Sequence, residues 1–230
     1  MNKTLMYHSI GNEGITDLGA ERYAVSLENF RKQVEFIVRG QDLQITFDDG
    51  DVTNYKYAFP ILKELKLSAY FFIIVSKIGS SGFMNWEQIK TLKNEGMIIG
   101  SHGMTHKILT GLNEGDLDYE LRISKKVLEE QLRCDVNYFS IPRGFYNINV
   151  IEGVKNNGYK AVFTSNYKDH DGFKIGRIAI KADWDLEYFT KVINDGLSLK
   201  DKAKELIKNS SKMLLGTNNY DRLRTRILKK

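Results

Sequence analysis

The chain has 230 residues, 42% hydrophobic and 11% aromatic, enough to close one large core without division into two domains. Its only cysteine, Cys134, rules out an intrachain disulfide and a cysteine-based metal site. The net charge of +5 is concentrated at residues 200–230, where ten basic side chains face three acidic ones; the remainder is slightly acidic, which argues against a general nucleic-acid surface.

The N-terminal residues lack the apolar run of a signal peptide, and no later stretch is apolar for long enough to cross a bilayer, so a soluble cytoplasmic protein is expected. Residues 4–7 form the first β-rich run. A helix follows, with Ser26 as N-cap, Leu27, Phe30, Val34, Ile37 and Val38 on its apolar face, and Gly40 as its stop. Further strands are predicted over 43–47, 69–75, 97–100, 136–140, 161–164 and 177–180. Between them, Asn85 precedes a helix carrying Trp86, Ile89 and Leu92 and ending at Gly96, and residues 116–132 align Leu117, Leu121, Ser124, Leu128 and Leu132 on one face.

Strands alternating with helices give β-α units and a parallel sheet, and the run Tyr70-Phe71-Phe72-Ile73-Ile74-Val75 suits burial on both faces. A barrel and an open doubly wound sheet both fit this pattern. No G-x-G-x-x-G or P-loop follows any strand, which weakens the nucleotide-binding form of the open sheet. The favoured reading is an α/β fold, a deformed (β/α) barrel of about seven parallel strands that need not be complete. It occupies residues 1–196, with a basic helical extension over 197–230.

In parallel α/β folds reactive residues gather just past the C-terminal ends of the strands, where the loops converge. The first run ends at His8, the second at Asp48 and Asp49, and the fourth at Ser101-His102, with His106 four residues on. Taken singly, each has a plainer reading: Asp-Asp-Gly is a common turn, two histidines can bond backbone, and His8 can be a core histidine. Together they place metal-grade and acid-base side chains at one end of the sheet. Two imidazoles and a carboxylate suit a divalent ion such as zinc, and three protein ligands leave a position open for catalysis. A second carboxylate beside the ligand is then free to take a proton from water.

The run Thr46-Phe47-Asp48-Asp49-Gly50 resembles the first motif of the NodB-type polysaccharide deacetylases, carbohydrate esterase family 4. Ser101-His102-Gly103-Met104-Thr105-His106 is similar to the family's H-x-x-x-H motif, and Phe59-Pro60-Ile61-Leu62 and Ala69-Tyr70-Phe71-Phe72 resemble its P-I-L and A-T-F-F segments. The resemblance implies a deacetylase acting on N-acetylated saccharides, with Asp48 as general base and Asp49, His102 and His106 holding a divalent metal, zinc for preference. The usual Leu-x-His general acid is missing. Met6-Tyr7-His8-Ser9 resembles the circularly permuted, exopolysaccharide-associated members, which implies His8 as the acid. The third motif, usually R-x-P-Y, reads Ser140-Ile141-Pro142-Arg143-Gly144-Phe145-Tyr146. Ser140 stands where the family has its base-steadying arginine, and Arg143 is the candidate to reach the base from the other side. The resemblance also implies the Arg143 N–H as oxyanion donor, and Pro142, Phe145, Tyr146 and Trp184 on the substrate side; Trp184 could equally cap the core.

Two rival readings use the same residues. A non-haem iron oxygenase also takes two histidines and a carboxylate, typically on a β-rich scaffold. A non-catalytic carbohydrate-binding protein could retain the fold with an altered third motif. In the basic tail, Leu199, Ala203, Leu206, Ile207, Ser210, Met213 and Leu214 fall at helical spacing, so residues 200–230 are expected to pack on the barrel or to make weak contact with an anionic membrane.

Overall fold

In a computed structural model describing residues 3–11, 20–204 and Ile207, seven parallel strands close into a barrel in sequence order. They are β1 (Lys3–Tyr7), β2 (Leu43–Phe47), β3 (Tyr70–Ile73), β4 (Ile98–Ser101), β5 (Tyr138–Ser140), β6 (Ala161–Thr164) and β7 (Lys174–Ala179). The barrel is complete, not open. Closure is made by β7 on β1, with Thr4 opposite Arg177 and Leu5 opposite Ile178. β7 begins at Lys174, earlier than its apolar pattern indicates, because Lys174, Ile175 and Gly176 pair with Val162, Phe163 and Thr164 of β6.

The helices between the strands start where side chains can satisfy free backbone N–H groups. Ser26 caps α1 (Leu27–Val38) by accepting from Asn29 N–H, and Asn85 with Gln88 forms a reciprocal capping box on α3 (Trp86–Asn94). Loss of such a cap costs about 1 kcal/mol. α2 (Phe59–Glu64) opens with Pro60 in its first turn, where no N–H is needed. The long helix predicted over 116–132 begins earlier, at an Asn113 cap, and is broken in its middle: α4 (Glu114–Asp118) runs through a π turn, Tyr119–Ile123, into α5 (Ser124–Leu132). α6 (Ile148–Asn156) and α7 (Leu186–Asp195) complete the ring. Among the described residues no helix is long and apolar enough to cross a membrane.

Alternation along the strands sorts the aromatics into two layers. Tyr7, Phe47 and Phe71 face outward, stacked in series and covered by Phe30 of α1. Tyr70, Phe72, Tyr138 and Phe163 face the other way. Since β3 and β6 are not neighbours, the Phe72–Phe163 contact, at 4.9 Å between centroids, crosses the barrel interior. Truncating a fully buried phenylalanine such as Phe47 would cost about 3–5 kcal/mol.

Most of the predicted C-terminal extension, including Leu206, Ser210, Met213 and Leu214, lies outside the described residues. Leu199, Ala203 and Ile207, expected to pack on the barrel, are exposed.

Candidate active site

The turn after β2 carries two carboxylates, and its backbone explains why both serve one site. In an extended strand consecutive side chains point to opposite faces. Here Asp49 takes φ +73° and Gly50 φ +80°, so the chain reverses immediately after Asp48, and both acids are brought beside His102. Met84 N–H donating to the Gly50 carbonyl at 2.9 Å fixes the turn. Five non-glycine residues have positive φ among the described residues, and three of them are Asp49, His106 and Arg143. Each such conformation costs on the order of 1 kcal/mol and persists where surrounding contacts enforce it, commonly at functional sites.

His102 follows β4 directly and is buried, its N–H bonded to the Ile73 carbonyl at 2.9 Å. Its Nδ1 lies 2.8 Å from the Ser140 carbonyl, which can only accept, so Nδ1 carries a proton and Nε2 is the atom left to ligate a metal. Nε2 of His102 and Nε2 of His106 each stand 3.4 Å from Asp49 Oδ1. All three residues offer ligand atoms within 4.8 Å of one another. Donors around a tetrahedral ion at ~2.0–2.2 Å are separated by about 3.4 Å, so this set fits zinc in spacing, donor type and tautomer. Burial disfavours ionisation of Asp49, but His102, His106 and His8 outweigh it and hold the carboxyl well below the usual range.

Asp48 is buried and stands 3.9 Å from His102 Nε2. Its partner is Arg177, a residue of β7 that sequence reasoning did not single out. The guanidinium grips both carboxylate oxygens, Nη1 to Oδ1 at 2.7 Å and Nη2 to Oδ2 at 2.8 Å. Nη2 also donates to Ser140 Oγ at 2.8 Å, and Ser140 Oγ donates to Asp48 Oδ2 at 3.1 Å. Thr46 Oγ1 and the Thr164 carbonyl accept the remaining Arg177 bonds, while Phe72 and Phe163 flank the cation. Burial pushes the Asp48 pKa up, and Arg177 together with His102 more than reverses it, so the pKa is lowered. A guanidinium thus reaches the Asp48 carboxylate from β7, with Ser140 as a bridge.

His8 directly follows β1 and is half-buried, its ring stacked on Tyr23 at 4.9 Å. Its Nδ1 is buried without a hydrogen-bond partner among the described residues. The loop behind it is tied to the acid turn: Ser9 Oγ donates to Asp51 Oδ2 at 3.0 Å, and Ile10 N–H to Thr53 Oγ1 at 3.0 Å. Asp51 also accepts from Thr53 N–H at 2.8 Å, so this one buried carboxylate fixes both loops.

In the third motif, Pro142 lies against Gly103 of the histidine loop, and Arg143 sits half-buried at φ +60°. Phe145 is buried. Tyr146 donates to Asp169 Oδ2 at 2.6 Å; burial and this carboxylate push its pKa up to about 12. Trp184 is 3% exposed and packs edge-on against Tyr188, as a core residue would. One side of it borders a recess shared with Arg177, Tyr167 and Lys181.

A closed parallel barrel thus carries acids and imidazoles clustered at the ends of its strands. Residues 38–162, more than half of the chain, match the polysaccharide deacetylase family, and the chain belongs to it. A poly-beta-1,6-N-acetyl-D-glucosamine N-deacetylase of Staphylococcus epidermidis is 31% identical over 160 residues, 60% of this chain and 54% of that protein. The chain spans about half the length of the curated relatives it matches. Among solved structures, the Streptococcus pyogenes deacetylase PplD superposes with a TM-score of 0.75 at 22% identity, covering 84% of this chain and 98% of that one. IcaB from Ammonifex degensii gives 0.68 at 21% identity, covering 86% and 98%. At these identities the superpositions speak for the fold.

Proposed function

We propose that the chain is a metal-dependent deacetylase that removes N-acetyl groups from amino sugars in a saccharide or polysaccharide. The observation that carries this reading is an Asp48 carboxylate locked by Arg177 beside the three-donor cluster of Asp49, His102 and His106. Those three residues would hold a divalent ion, zinc for preference, which when bound acidifies water and polarises the acetyl oxygen.

Asp48 is the general base. Its depressed pKa keeps it ionised but makes it a weak base, so it suits a water whose own pKa has been lowered. His8 is the general acid, delivering a proton to the departing nitrogen; an amine leaves readily where an amide anion does not. The Arg143 N–H is assigned to the oxyanion, with Pro142, Phe145 and Tyr146 framing the substrate side. Trp184, buried against Tyr188, contributes packing behind that wall.

The name of the Staphylococcus epidermidis relative favours an N-acetylglucosamine polymer as substrate. A non-haem iron oxygenase is disfavoured by the parallel α/β barrel. The non-catalytic reading rested on an altered third motif and an unusual acid, and the Arg177–Ser140 pair answers the first by bringing a guanidinium to the base. Acetate release from N-acetylglucosamine oligomers, measured before and after chelation and again after zinc is added back, tests the assignment. Release that stops on chelation and returns with zinc supports it. Release indifferent to chelation, or none from zinc-loaded protein, contradicts it.

A further inference from the structure

Glu120 is a buried carboxylate, 1% exposed, that the proposed chemistry does not use. Among the described residues it forms no ion pair, and an unpaired buried charge is costly unless hydrogen bonds compensate it. Its compensation comes from one place. Oε2 accepts from the Thr105 N–H at 2.8 Å, and Oε1 accepts from the Thr105 hydroxyl. Thr105 is the residue immediately before His106, which is held at φ +64°.

The loop from His102 to His106 is gripped on two further sides. Val75 N–H donates to the Gly103 carbonyl at 3.2 Å and Ser76 N–H to the Met104 carbonyl at 2.9 Å, both from the helical turn Val75–Lys77 that follows β3. Ser101 Oγ accepts from Gly103 N–H at 3.1 Å and lies 2.7 Å from Ser124 Oγ, which donates to the Glu120 carbonyl at 2.6 Å. Glu120 therefore meets the loop through its side chain and, by way of two serines, through its backbone. Gly103 is shaped to the same contact: its φ is +80°, and a Cβ there would stand 3.0 Å from Glu120 Oε2.

The π turn Tyr119–Ile123 is part of this device. It inserts one residue into the helix, as π turns at functional sites do, and Tyr159 OH stabilises it by donating to the Leu121 carbonyl at 2.9 Å. Resting on the metal-site reading above, we propose that Glu120 is a positioning residue that holds Thr105, and through it His106, in the conformation that ligates the metal. It touches neither substrate nor metal in this role.

The test is zinc affinity of the full chain, read by competition with a chromophoric chelator, alongside the melting temperature of the metal-free protein. Glu120→Leu removes both acceptors and is expected to weaken zinc binding by about 10–100-fold, the range seen when supports of metal ligands are lost. Glu120→Gln can accept the Thr105 N–H with its Oε and donate to the Thr105 hydroxyl with its Nε, and is expected to restore most of the affinity. Thr105→Val removes only the hydroxyl donor, predicts a smaller loss, and serves if Glu120→Leu does not fold. Unchanged zinc affinity in Glu120→Leu, with only the melting temperature lowered, would overturn the proposal while leaving the metal site standing; wild-type protein that binds no zinc would overturn both.

Discussion

Replacing Arg177 by methionine keeps a long side chain in the barrel but strands Asp48, which is 3% exposed, without its cation. Five hydrogen bonds are lost at once, two of them to the carboxylate at 2.7 and 2.8 Å. Breaking a buried pair from one side costs about 3–5 kcal/mol, because the remaining charge has neither water nor partner. For a chain of this size each kcal/mol lowers Tm by about 2–4 °C, which predicts a fall on the order of 6–20 °C. Urea and thermal unfolding should be followed in chelator, so that metal binding does not add to stability. Adding Asp48→Asn removes the stranded charge and should recover part of the loss, a coupling of about 1 kcal/mol or more. Arg177→Lys should be intermediate, since a point charge cannot bond both oxygens in the planar fork. Additivity of the two changes within about 0.5 kcal/mol would refute the claim that Arg177 stabilises the barrel through Asp48.

His102→Ala removes the best-supported ligand, so zinc that co-purifies or is titrated in should be lost, as metal analysis would read; full retention would remove His102 from the ligand set. His8→Ala should slow amide hydrolysis by about 10²–10⁴-fold while sparing an aryl acetate, whose phenolate leaves without a proton. Equal losses on both substrates would contradict its role as acid. Gly176→Ala places a Cβ 2.3 Å from the Asn166 carbonyl oxygen and 2.9 Å from Asp169 backbone atoms. That overpacking against backbone should cost about 1–3 kcal/mol in unfolding free energy, and an unchanged Tm would show that the β6–β7 connection yields more easily than its contacts suggest.

The strands were legible because parallel buried strands are written as short apolar runs, and β2 and β6 coincide with their predicted bounds. Asp48, Asp49, His102 and His106 were legible because each lies directly after a strand or one short loop beyond it. Arg177 was not, since its partner is 129 residues away and the two meet only because β7 closes the barrel onto β1. A signal did exist: Arg177 is a lone cation in the run Ile175 to Ile180, a residue type that a buried strand carries only when it is paired. Glu120 was hidden in the same way. It lies three residues after Leu117 on the face read as apolar, and the π turn that aims it at Thr105 leaves no mark in hydrophobic spacing. Trp184, open in the sequence to a substrate-side or a core-capping reading, is buried against Tyr188 with one side on the recess that it shares with Arg177.

The most direct test of the account is acetate release from N-acetylglucosamine oligomers by zinc-loaded Asp48→Asn beside the wild type, with zinc content measured on the same samples. The account predicts equal zinc in both proteins and turnover in the wild type alone. Wild-type rates from Asp48→Asn, with zinc bound, would contradict it.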